Sequence, residues 1–136
     1  MLVLDASAVA ELVLARPSGL AVADQLAAHE FDVHAPHVLD VEVMSAVRRL
    51  VASGHATRGR AEQAIEDLLA LPVERYAHEA LVRRAWEYRE NFSPYDATYL
   101  ALAEALADQP VPLLTADARF ARAIEAHAAV PVVLVP

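Results

Sequence analysis

The chain has 136 residues, 57% of them hydrophobic, with no cysteine and a formal charge of −8. That length makes one domain, able to bury about two-thirds of its unfolded surface, and the composition excludes disorder, disulfides and thiolate metal sites. The acidic balance speaks against a broad nucleic-acid-binding face, yet all 11 basic residues are arginine, the better side chain for bidentate phosphate contacts.

No apolar run approaches the roughly 20 residues of a membrane span, so no membrane association is expected. The opening MLVLD has no basic leader region, and the expected location is the cytoplasm. Leu2 to Leu4 forms a compact strand ending at Asp5. A helix follows from about Ser7 to Ala15, broken by Arg16-Pro17-Ser18-Gly19, and a second runs from about Gly19 to His29. Phe31 to Ala35 reads as the next strand, closed by Pro36. The helix from about His37 to Ala52 carries Leu39, Val43, Ala46, Val47 and Leu50 on one stripe and stops at Ser53-Gly54.

Another helix spans about Gly59 to Leu71, with Pro72 as its stop, and Val73 to Tyr76 is a strand. A helix from about Ala77 to Glu90 leads into FSPYDATYLALAEAL, where Asp96 is in phase with Tyr99, Leu100, Ala103, Leu106 and Ala107. Val111 to Leu114 is a strand, Thr115-Ala116-Asp117 opens a helix to about Ala128, and Val132 to Val135 is the last strand. Short apolar strands alternating with helices make an α/β domain spanning residues 1–136, with a mostly parallel sheet of four to five strands covered on both faces.

Asp96 poses the sharpest question, because a carboxylate in line with a core-facing stripe is costly unless something pairs with it. One answer is local: Ser93 caps the helix, Pro94 is its first residue, and Asp96 is the acid of a capping box. The other depends on three further acids. Ligands of an open parallel sheet sit beyond the carboxyl ends of its strands. Asp5 stands at that end of the first strand, Asp117 just past that end of a later one, and Glu42 lies on the inward stripe of its helix. Glu30, Asp40, Glu66, Asp67, Glu90 and Glu125 fall instead on outer faces or in turns. Crowded carboxylates repel one another unless a cation enters, and oxygen-only ligands favour Mg²⁺ or Mn²⁺ over Zn²⁺. Asp96 is then buried because it is a ligand.

LDASA at Leu4–Ala8, VLDVEVMSAVRRL at Val38–Leu50, SPYDATYLALA at Ser93–Ala103 and LLTADARFARA at Leu113–Ala123 resemble the PIN domain family, and within it the VapC-type ribonuclease toxins of toxin–antitoxin pairs. The likeness covers nearly the whole chain in length and order of elements. It implies metal-dependent endonucleolytic cleavage of RNA, with metal-binding and catalytic roles for Asp5, Glu42, Asp96 and Asp117. On that reading a metal-activated water would attack the phosphodiester in line, leaving 5′-phosphate and 3′-hydroxyl ends. Ser7 and Thr115 match the family's supporting hydroxyls, though Ser7 also fits an ordinary helix N-cap. The implied partners are a small antitoxin, whose C-terminal segment lies across the acidic pocket, and a second copy of the chain. Two departures stand out: Ser45 and Ala46 where many relatives carry an asparagine, and a last loop, AHAAVP, without the common glycine.

Arg119 and Arg122 are candidates for RNA phosphates, whereas Arg48 and Arg49 read as a solvated helix end. The scattered histidines offer no pair for acid–base chemistry through a ribose 2′-hydroxyl, and Trp86 and the tyrosines read as core or interface packing, not as a base-stacking platform. The complete absence of lysine counts against a phosphoacceptor receiver domain and a haloacid-dehalogenase-type phosphatase; the latter also needs DxD where this chain reads Asp5-Ala6-Ser7. Two other roles remain open within the same fold: housekeeping RNA processing, and a degenerate scaffold that only binds a partner.

Overall fold

In a computed structural model of residues 1–136, five strands pair in parallel in the order β3-β2-β1-β4-β5. They are β1 (Leu2–Leu4), β2 (Val33–Pro36), β3 (Val73–Tyr76), β4 (Leu113–Thr115) and β5 (Val132–Leu134). Seven helices join them: α1 (Ala6–Val13), α2 (Gly19–Ala28), α3 (Val38–Ala52), α4 (Arg58–Ala70), α5 (Val82–Glu87), α6 (Pro94–Ala105) and α7 (Ala118–His127). Successive strand side chains point to opposite faces. Because every residue of β1 and β4 is buried, both faces at the centre of the sheet are covered, as the continuous apolar runs require.

Three boundaries depart from expectation. The second strand begins at Val33, not Phe31, because Glu30 and Phe31 take left-handed φ values of 55° and 58° that end α2 in a tight reversal. The helix expected over Ala77–Glu90 shrinks to α5, none of whose residues is buried. The turn ahead of it carries His78, whose Nε2 accepts the Val38 N–H at 2.9 Å. On α6, Tyr99, Leu100 and Ala103 are buried as the spacing demands, but Ala107 lies exposed beyond the helix end.

α1 packs against α2, α3 and α4, and α6 packs across β1 and β2 and against α5. The approach of α2 to α1 is close enough that a Cβ added at Gly19 would sit 2.8 Å from the Glu11 carbonyl oxygen. Gly19→Ala is therefore expected to lower stability by about 1–3 kcal/mol, despite alanine's better helix propensity. A thermal melt unchanged from wild type would show that the two helices can separate freely.

Candidate active site

The strand order places the topological switch point between β1 and β4, since the chain leaves β1 toward β2 and β3 on one side while β4 and β5 lie on the other. A ligand crevice belongs beyond the carboxyl ends of these two strands. Asp5 immediately follows β1, and Thr115 is the last residue of β4. An open cleft of about 630 Å³ lies there, and Asp5, Glu42, Asp96 and Asp117 all line it.

Its floor is a hydrogen-bonded knot of hydroxyls. Asp5 is only 5% exposed, caps α1 by accepting the Ser7 N–H, and accepts from the Ser7 hydroxyl through the same Oδ2. Thr115, fully buried, donates its hydroxyl to Asp5 Oδ2 at 2.7 Å and accepts the Asp117 N–H at 3.0 Å. Ser7 Oγ lies 3.0 Å from Thr115 Oγ1 and accepts the Ala116 N–H at 2.9 Å. Ser7 is thus not the N-cap of its helix: Asp5 takes that place, and the Ser7 hydroxyl ties the start of α1 to the end of β4 instead.

The other acids also stand near helix starts. Asp117 caps α7, its Oδ1 accepting from the N–H groups of Arg119 and Phe120. Ser93 caps α6 by accepting the Asp96 N–H at 3.2 Å. The capping box is only half formed, because no hydrogen bond returns from the Asp96 carboxylate to the Ser93 N–H; that carboxylate lines the cleft. Asp96 therefore gives its backbone N–H to the cap while its carboxylate lines the cleft. The positive ends of α1, α6 and α7 partly offset the repulsion of the acids gathered among them. Glu42, a turn into α3, accepts the hydroxyl of fully buried Tyr99 at 2.9 Å.

Burial, with the charges of Asp5 and Asp96 added, pushes the Glu42 carboxyl up to about 7, although the Tyr99 hydrogen bond works the other way. Burial and the charges of Asp5 and Asp117 push Asp96 up to about 6, with the Arg119 guanidinium opposing. Burial raises Asp5 as well, against its hydroxyl donors. Each raised carboxyl stays protonated in the fold at pH values where the unfolded chain has released its proton. The stabilisation is complete below the ordinary carboxylate range and is lost as pH rises through the folded values. Without divalent cations, stability should fall between about pH 4.5 and 7. Glu42→Gln should flatten that fall by on the order of 1 kcal/mol, after allowing for solvent screening of a half-exposed group. Melts in EDTA at pH 5 and pH 8 check this, and equal slopes for the two proteins would contradict it.

The donor chemistry of the cleft suits a hard divalent cation: carboxylate oxygens, no sulfur, no histidine, and charge that burial alone leaves uncompensated. No three acid or histidine side chains are grouped tightly enough to hold a metal ion outright, so the carboxylates share a cleft without yet forming a cage.

Arg119 lines the rim as expected, but Arg122 does not. Arg49 also lines the cleft, whereas its neighbour Arg48 turns to the groove between α3 and α4. Its place was readable in the spacing Glu42, Ala46, Arg49, one face of α3 over two turns. Glu11 and Arg16 had no such signal beyond Ser7 and Glu11 sharing a helix face. They lie at the cleft edge as an ion pair at 2.9 Å. Tyr99 was legible as core and invisible as a partner of Glu42.

The family model of the PIN domain matches residues 2–125. Ribonuclease VapC12 of Mycobacterium tuberculosis is 40% identical over 122 residues, which cover 90% of this chain and 91% of the relative. VapC ribonuclease Mb0985 of Mycobacterium bovis is 39% identical over 136 residues, covering 100% of this chain and 99% of the relative. Among solved structures, PAE2754 from Pyrobaculum aerophilum aligns with a TM-score of 0.65 at 20% identity, covering 96% of this chain and 81% of that one, a likeness of fold.

Proposed function

This chain belongs to the PIN domain family, alongside its VapC ribonucleases, and from that premise we propose that it is a Mg²⁺- or Mn²⁺-dependent endoribonuclease, the toxin of a toxin–antitoxin pair. The observation that supports this most is convergence: acids from residues 5, 42, 96 and 117 meet in one cleft at the switch point of the sheet.

Asp5, Asp96 and Asp117 would hold the principal cation, with Glu42 completing the pocket. A divalent ion bound there polarises a phosphoryl oxygen and makes water a competent nucleophile near neutral pH. The chain's own contribution is orientation. Ser7 and Thr115 fix one oxygen of Asp5 and leave the other free, and Tyr99 anchors Glu42 from the core side. The start of α7 fixes Asp117 through one oxygen in the same way. Arg119 stands beside the acids to take a phosphate; Arg122, one helical turn on, would reach only RNA that extends past the cleft. Attack by water would form a new P–O bond as the water gives up a proton, and break the bond to the 3′ oxygen, which takes up a proton and leaves as the 3′-hydroxyl while the phosphate stays on the 5′ oxygen of the downstream fragment. The enzyme works in the cytoplasm as a homodimer, restrained by a small antitoxin that lays a basic side chain among the carboxylates.

The test is incubation of the purified protein with a mixed pool of structured RNAs, in Mg²⁺ or Mn²⁺ against EDTA, with analysis of the product ends. Metal-dependent cleavage leaving 5′-phosphate and 3′-hydroxyl is expected. Products ending in 2′,3′-cyclic phosphate would overturn the mechanism. Failure to bind either metal in calorimetry, together with no cleavage, would overturn the function.

A further inference from the structure

Trp86 is the single tryptophan of the chain, and it lies outside the core: its residue is 66% exposed, its neighbour Val82 58% and Tyr95 on α6 57%. It walls a second cavity, of about 340 Å³, with Ala85, Arg89, Phe92, Pro94 and Thr98. That volume admits one flat heterocycle. Arg89 has no carboxylate partner; its guanidinium lies over the Trp86 ring at 5.0 Å from the centroid and donates to the Trp86 carbonyl at 3.1 Å. The hydroxyl of Thr98 is turned to the Pro94 carbonyl, which leaves its lone pairs to accept.

The placement of this cavity relates it to the acidic cleft. At about 100° per residue, Pro94 and Thr98 share one side of α6 and Asp96 lies on the other. Two routes join those sides. The one past Ala97 is buried, while the one past Tyr95 is open to solvent. An extended chain leaving the acids therefore crosses the exposed Tyr95 at the start of α6 and arrives at Trp86.

Resting on the nuclease reading above, we propose that the Trp86–Arg89 cavity is a nucleobase subsite for single-stranded RNA, holding a base of the strand that is cut. Single-stranded RNA is held by stacking on aromatic rings and guanidinium planes, with arginine answering the adjacent phosphate. The occupant follows from charge. Arg89 and the exposed Arg83 are free of carboxylates, so an apolar protein surface closing over the cavity would bury a cation without a partner. A nucleotide brings the base for the ring and the phosphate for the arginine together.

Because Trp86 is the chain's single tryptophan, its fluorescence reports on this cavity alone. A mixed-sequence single-stranded RNA oligonucleotide is titrated into Asp96→Asn, which removes cleavage, and indole emission is followed beside the anisotropy of an end-labelled copy. Saturable quenching that tracks anisotropy is expected. Trp86→Ala in the same background should weaken binding roughly 5- to 100-fold, and Trp86→Phe should recover part of it. Binding seen by anisotropy with unchanged emission and equal affinity in Trp86→Ala would overturn the subsite and leave the nuclease reading intact. No binding by either signal would overturn the subsite, while the nuclease reading stands or falls by the metal-binding and cleavage test above. Emission that changes with protein concentration and not with RNA would assign the cavity to a contact between two copies, which also overturns the proposal.

Discussion

Asp96→Asn should leave a well-folded protein that no longer cuts RNA. The substitution keeps the size of the side chain and the N–H that Ser93 accepts, so α6 still starts where it does. It removes a carboxylate that burial and the charges of Asp5 and Asp117 push up to about 6. Above that pH the native protein carries an ionised acid whose crowding opposes folding, so the neutral amide should hold or slightly raise the melting temperature in EDTA. Activity in Mg²⁺ or Mn²⁺ should drop by at least about 10²-fold, and Mn²⁺ affinity should fall with it. A residue that served only as a cap would behave in the opposite way. Stability would then fall by about 0.5–2 kcal/mol while metal binding stayed the same. A melt and a Mn²⁺ titration on one preparation separate the two.

Thr115→Val should damage both stability and activity through one hydroxyl. Valine nearly matches threonine in shape, so the packing at the end of β4 is kept. Lost are the donor to Asp5 Oδ2, which is buried, and the acceptor of the Asp117 N–H, which is partly buried. Asp5 Oδ2 keeps the Ser7 hydroxyl and N–H, so the Asp117 N–H is the group left unpaired, at a cost of about 1–3 kcal/mol. We expect a loss of about 1–3 kcal/mol in unfolding free energy and weaker Mn²⁺ binding, with Thr115→Ser restoring most of both. A valine variant as stable as wild type would mean that water replaces the hydroxyl and that the floor of the cleft is looser than its geometry implies.

The central strands were legible because their apolar runs are short, continuous and punctuated. Leu2–Leu4 ends at an acid, and Val73–Tyr76 begins after a proline. Asp5, Asp96 and Asp117 were legible for a related reason: each sits where a strand ends or a helix begins, and those are the places a sequence marks most clearly. What failed was decided by distant partners. Residues 77–81 have good helix formers, yet His78 is drawn off to the N–H of Val38 and the helix starts later. Glu30 and Phe31 reverse the chain in a conformation usually left to glycine, so the turn carried no warning. Tyr99 looked like any core residue, since nothing local shows that its hydroxyl meets an acid 57 positions away. Trp86 lies outside the core because α5 is short and none of its residues is buried, which its residue type alone did not signal.

The hydroxyl knot beneath the cleft spans the two middle strands of the sheet, while Arg49 and Arg119 project from exposed turns of α3 and α7. These two sets of residues differ in mutational freedom. A change at Ser7 or Thr115 disturbs the centre of the domain, whereas a change at a rim arginine leaves the core packing alone and alters what the surface attracts and, at Arg119, the charge facing Asp96. Lineages descending from such a chain can therefore drift toward new RNA targets by exchanging surface residues, each step costing little in folding, while the chemistry beneath passes unaltered from ancestor to descendant.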